Sequence, residues 1–144
     1  MRILADTSFL VASLVQQHPH HERAMPWVVK ILKKQIQIGV CSHSIAELYS
    51  ILTRLPISPR IPPAVALKMI TENILEKAEV IDLRTADYVK CVSRATERGL
   101  HGGVIYDFLI GMAFEKFKGQ GILTFNHKDF VRLFPENPKC VIVP

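Results

Sequence analysis

Arg2-Ile3-Leu4-Ala5-Asp6-Thr7-Ser8-Phe9-Leu10-Val11 decides how the rest of the chain is read. Arg2–Ala5 is a short apolar run of strand type, and a helical pattern follows at once through Phe9–Gln16. An acid, Asp6, stands at the joint. The same alternation recurs downstream. Ile38–Cys41 is strand-like and leads into a helix over Ile45–Leu55. Val80–Leu83, with Asp82 inside it, precedes a helix that carries Val89, Val92 and Ala95 on one face. Ile122–Phe125 precedes a helical turn at His127–Leu133, and Val141–Val143 is a last strand.

The intervening stretches are helical too. Met25, Val28, Val29 and Leu32 recur at helical spacing, and Pro26 among them predicts a kink or a late helix start. Pro56, Pro59, Pro62 and Pro63 break the chain before a helix marked by Leu67, Ile70 and Ile74. Gly99, Gly102 and Gly103 end one helix and admit the next, Val104–Phe117, which is apolar on nearly every side. Strands alternating with helices predict an α/β fold of three layers, αβα, around a central parallel sheet of four or five strands. Sites in such sheets lie beyond the carboxyl ends of the strands.

The 144 residues match one domain, and at that length roughly 70% of the unfolded surface is buried on folding. A hydrophobic content of 49% excludes a disordered chain. The apolar runs are too short and interrupted to cross a bilayer, and Met1–Asp6 looks like the first element of the fold rather than a signal peptide. Cys41, Cys91 and Cys140 are odd in number and far apart, as expected of free core thiols in a reducing cytoplasm. The net charge of +5 favours contact with a polyanion but says nothing of sequence preference.

Four acids hold the chemistry. Asp6 is equally an N-cap and the first acid at a strand end. Glu47 has two readings: Ser44-Ile45-Ala46-Glu47 matches a capping box, or else Ser42 caps and Glu47 points over the sheet end. Asp107, in Val104-Ile105-Tyr106-Asp107-Phe108-Leu109-Ile110, is a carboxylate in an apolar helix, costly unless paired or bound to a cation. Asp129 follows the fourth strand and is equally able to cap a turn. Acids after three strands and in a central helix point to one crevice, where their mutual repulsion is relieved by a hard divalent cation.

With these residues in view, the chain resembles PIN-domain ribonucleases, and specifically VapC-type toxins of VapBC toxin–antitoxin pairs. Asp6-Thr7-Ser8-Phe9-Leu10-Val11 is similar to the family's opening motif, and Ser44-Ile45-Ala46-Glu47-Leu48 to its second. Gly103-Val104-Ile105-Tyr106-Asp107-Phe108-Leu109-Ile110 resembles the third acidic motif, and Leu123-Thr124-Phe125-Asn126-His127-Lys128-Asp129-Phe130 the closing one. The resemblance covers residues 1–144 as a single PIN domain.

It implies Asp6, Glu47 and Asp107 as the core acids, holding one or two Mg²⁺ or Mn²⁺ ions for hydrolysis of RNA phosphodiester bonds. The fourth catalytic position stays open between Asp129 and Asn126, since many members carry an acid where this chain has Asn126. Thr7, Ser8, Thr124 and Asn126 would support the carboxylates. The resemblance further implies a homodimer, a VapB-like antitoxin and a cytoplasmic setting without membrane contact. A PIN nuclease outside any toxin system and an inactive PIN-like RNA- or protein-binding module share these features. A phosphoacceptor receiver domain would need paired acids after the first strand and a Lys after the fifth, which are absent. His18, His20 and His21 have no metal-ligand spacing, and Arg54 is a candidate neighbour of the site or of a partner.

Overall fold

The computed structural model describes residues 1–144. Its strands are β1 (Arg2–Ala5), β2 (Gln37–Cys41), β3 (Glu79–Ile81), β4 (Gly121–Leu123) and β5 (Val141–Ile142). Its α-helices are α1 (Thr7–Leu14), α2 (His21–Leu32), α3 (Ser42–Arg54), α4 (Pro63–Ile70), α5 (Thr85–Glu97), α6 (Val104–Phe117) and α7 (His127–Leu133). The five strands form one parallel sheet in the order β3-β2-β1-β4-β5.

The strands' two-residue period sorts their side chains between two cores. Ile3, Ala5, Ile38, Val40 and Leu123 face the helices α1–α4, with Phe9, Leu10, Leu48 and Leu52 in the same cluster. Leu4, Cys41, Ile81 and Ile122 face the opposite way, onto Ile110, Ala113 and Phe117 of α6 and Phe130 of α7. Helix α5 packs outside α6 through Cys91 and Ala95, against Phe108, Leu109 and Met112. The expected three layers are therefore present, with five strands between them. Gly39 makes the second core possible: a Cβ there would lie 2.9 Å from the Phe117 ring.

The chain leaves β1 for β2 on one edge, and β4 joins β1 from the other. The order of winding thus reverses between β1 and β4, and a crevice opens at the carboxyl ends of those two strands. Asp6 and Thr124 are the residues that follow them.

Several local expectations are corrected. Helix α2 starts at His21 and runs through Pro26, which corrects the late start. The Glu22 carbonyl that loses its helical donor is on an exposed residue, where water replaces the missing partner. On α4, continued by a π-helical turn at Thr71–Leu75, the inward stripe is Ala66, Ile70 and Ile74, and Leu67 is outside. On α5 the inward stripe is Cys91 and Ala95, and Val89 and Val92 are exposed. Strand β3 ends at Ile81, which puts Asp82 beyond it. All three cysteines are free and buried. No helix is long and apolar enough to cross a membrane.

Candidate active site

Asp6 turns the chain from β1 into α1. Its extended backbone (φ −78°, ψ 156°) makes it the N-cap, so the capping and site readings describe one residue. Oδ1 accepts from the Thr7 amide at 2.7 Å. Oδ2 accepts from the Ser8 hydroxyl at 2.6 Å, the Thr124 hydroxyl at 2.7 Å and the Ser8 amide at 3.3 Å. Burial raises the Asp6 carboxyl above its ordinary range, while the donors from Ser8, Thr124 and Thr7 pull against that rise. The hydroxyls also tie the end of β1 to the end of β4: Ser8 Oγ accepts from the Phe125 amide at 3.0 Å, while Thr124 Oγ1, which donates to Asp6, accepts locally from the Asn126 amide at 2.9 Å.

Glu47 does not belong to a capping box. Helix α3 starts at Ser42 with Cys41 as its N-cap, and the buried Ser44 hydroxyl has no partner. Starting two residues before Ser44, the helix carries Glu47 round to the carboxyl end of the sheet. There Oε2 accepts from the Thr7 hydroxyl at 2.7 Å, and Oε1 lies 3.4 Å from His43 Nε2.

Asp107 sits in the first turn of α6 and accepts no hydrogen bond within the chain. Its carboxyl is pushed up to about 7, chiefly by burial and then by the negative charges of Asp6, Asp129 and Glu47. Glu47, Asp107 and Asp129 share the wall of one open cavity of about 530 Å³ with Asn126 and Arg132. Asp6, 5% exposed, is buried beside that cavity rather than on its wall. As the side chains lie, no three His, Cys, Asp or Glu groups converge closely enough to enclose an ion.

Asn126 is the residue before α7, makes no side-chain cap and lines the cavity. Asp129 stands one turn further, half-buried, on the same wall. The sequence alone does not single out three further groups at the site, His43, Tyr106 and Arg132. His43 stacks on Tyr106 with ring centroids 5.1 Å apart and planes 7° from parallel. Arg132 is the only Lys or Arg on the cavity wall. The signals were present: His43 is four residues before Glu47, and Tyr106 adjoins Asp107. Arg54 is exposed at the end of α3 and lines no part of the cavity. His20 stacks on Phe125 with centroids 4.5 Å apart, and His21 Nδ1 lies 2.8 Å from the Ala12 carbonyl oxygen, so both serve packing.

The PIN domain family model matches residues 3–133. The chain belongs to the PIN-domain family, among its VapC-type ribonucleases. Ribonuclease VapC27 of Mycobacterium tuberculosis is 31% identical over 111 residues, covering 77% of this chain and 75% of that protein. Ribonuclease VapC40 of the same species is 31% identical over 122 residues, covering 85% and 84%.

Among solved structures, M. tuberculosis VapC20, described as a sarcin–ricin loop cleaving toxin, superposes with a TM-score of 0.72 at 15% identity. That match covers 90% of this chain and 94% of VapC20. VapBC2 of Rickettsia felis, bound to a DNA fragment from its promoter, gives 0.62 at 19% identity, covering 100% and 98%. At such identities these structures speak for the PIN fold, and they agree with it along nearly the whole chain.

Proposed function

We propose that this PIN domain, spanning residues 1–144, hydrolyses RNA phosphodiester bonds with a divalent cation, as the toxin of a toxin–antitoxin pair. The observation that carries the reading is the state of Asp107: a carboxyl without a hydrogen-bond donor, lifted to about 7 by burial and three nearby acids, on an open cavity. Such an arrangement destabilises the free protein and is relieved by a hard cation.

The donor set fits Mg²⁺ or Mn²⁺, being built of carboxylate oxygens with no thiolate among them. Asp6, Asp107 and Glu47 would hold it, Glu47 directly or through water; Mg²⁺ needs few carboxylates and keeps several waters. When bound, the cation would supply neutralising charge and would lower the pKa of a water. The protein's own work is orientation. Ser8, Thr124 and the Thr7 amide fix the Asp6 plane, and the Thr7 hydroxyl together with His43 fixes Glu47. Asp129, which lines the same cavity, would accept the proton of the attacking water. No covalent intermediate on the protein is required.

Tyr88, Val89 and Val92 leave apolar surface exposed along α5, as a homodimer contact would. The kinship with VapC proteins supports an antitoxin partner. The free thiols accord with a reducing cytoplasm.

The purified chain is expected to cleave a structured RNA with Mg²⁺ or Mn²⁺ and to stop in EDTA. Undiminished cleavage in EDTA would sink the metal-dependent reading, and no cleavage under any condition would leave a PIN-like binding module. Expression alone is expected to arrest growth, with rescue by a small co-encoded protein; harmless strong expression would remove the toxin assignment.

A further inference from the structure

Tyr106 is the residue before Asp107, and its ring is set in a way packing alone does not require. One face is covered by His43 in a parallel stack, yet 48% of the residue remains exposed. His43 is in turn held through its Nε2 contact with Glu47. The outer surface of Tyr106 therefore borders the same cavity as Glu47, Asp107 and Asp129, on a plane tethered from behind.

That cavity has a binding problem. Three carboxylates line it, against His101 and one permanent cation, Arg132, which has no carboxylate partner elsewhere in the molecule. A phosphodiester gains little from such a wall before a divalent ion is present, so some hold on the nucleotide must be independent of charge. Aromatic faces provide it, because every base has a π-face and single-stranded RNA offers its bases unstacked.

We infer that Tyr106, backed by His43, is the stacking platform for one base of a single-stranded RNA segment, with Arg132 meeting an adjoining phosphate. This rests on the RNA-cleaving reading above and names the form of the substrate: an unpaired base flanking the cleaved bond. In this scheme Tyr106 contacts the substrate, and His43 is a positioning residue that keeps the ring plane fixed. A planar hydrophobic ring suffices, so the phenol hydroxyl is dispensable.

The test uses a single-stranded oligoribonucleotide carrying 2-aminopurine, titrated in EDTA so that binding is read without cleavage. Stacking quenches the probe's fluorescence. Wild type and Tyr106→Phe are expected to quench alike. Tyr106→Ala is expected to lose the quench and to raise Kd by roughly tenfold. His43→Ala is expected to reduce the quench with a smaller change in Kd. With Mn²⁺ restored, the loss in Tyr106→Ala should fall more on KM than on kcat. Full quenching by Tyr106→Ala would overturn the inference and leave the ring as a protein–protein contact. Equal losses in the Phe and Ala variants would also overturn it, by assigning the effect to the hydroxyl. Failure of wild type to cleave RNA, with ring-dependent quenching intact, would count against the catalytic reading alone.

Discussion

Replacing Asp107 by Asn should abolish RNA cleavage and at the same time stabilise the fold. The carboxyl is lifted from an ordinary 3.8 to about 7 in the folded protein, so its ionised form is disfavoured there. At about 1.4 kcal/mol per pKa unit the full displacement corresponds to ~4 kcal/mol. Asp107 is only half-buried, and solvent screening reduces that to roughly 1–2 kcal/mol. The amide occupies nearly the same volume and carries no charge. It forfeits no hydrogen bond, because nothing in the chain donates to Asp107.

The sign follows from proton uptake. Below pH 3.8 the carboxyl is neutral in both folded and unfolded chains, and wild type and variant should be equally stable at this position. Between 3.8 and about 7 the folded state binds the proton more tightly, so wild-type stability falls as pH rises. Above 7 the penalty is complete. In EDTA at pH 8, Asp107→Asn should therefore melt about 3–6 °C above wild type. The gap should narrow as pH approaches 4. Excess Mn²⁺ should raise the wild-type Tm and leave the variant nearly unmoved, since only the carboxylate gains a partner. Thermal denaturation at a series of pH values, with and without Mn²⁺, measures all of this. A variant that melts at or below wild type at pH 8, or a gap independent of pH, would refute the electrostatic account of the site.

Asp6→Asn should behave in the opposite way, losing activity and about 1–2 kcal/mol of stability by urea denaturation, because its NH₂ cannot accept from the donors on the carboxylate oxygen it replaces. Asp129→Asn, which breaks no hydrogen bond, should lower cleavage less than Asp6→Asn in the same assay; equal losses would give Asp129 a larger role. Ser44→Ala should keep or raise stability by about 0.5–1 kcal/mol, since its buried hydroxyl has no partner to lose. A clear drop in its urea midpoint would mean the hydroxyl is satisfied after all. In crystals soaked with Mn²⁺ without RNA, anomalous diffraction should show one ion, near Asp6 and Asp107; a second fully occupied ion on Asp129 would contradict this.

The strand–acid–helix units were legible because two periodicities and an acid suffice to announce them: β1 with Asp6, and α6 from Val104 to Phe117, emerge where the pattern places them. Glu47 was ambiguous for a physical reason. A capping box and an inward-facing acid differ by a two-residue shift in where α3 begins, and only the burial of Ser44 against the sheet decides it. The inward faces of α4 and α5 escape the sequence pattern because small residues do the packing. Ala66, Cys91 and Ala95 are buried, and the larger Leu67, Val89 and Val92 face outward. The His43–Tyr106 stack joins α3 to α6 across more than sixty residues of sequence, and no local pattern encodes such a meeting.

Asp6 and Asp107 are both carboxylates with raised proton affinity, yet the protein treats them in opposite ways. Around Asp6 it invests every available donor, three of them on Oδ2, which leaves Oδ1, with one amide donor, as the oxygen that has room for another partner. Around Asp107 it places no donor and three acids. The first acid is thereby rigid and locked to the β1–β4 seam; the second is free in both oxygens and unstable as an anion. A cation held by these two acids would meet one fixed anchor and one unsatisfied charge. Binding would then draw its energy from Asp107 and its geometry from Asp6. The same division accounts for the hydroxyls. Ser8, Thr7 and Thr124 cluster on the anchor and on Glu47, where orientation matters, and none is directed at Asp107, where a donor would satisfy the charge that a bound cation would otherwise neutralise.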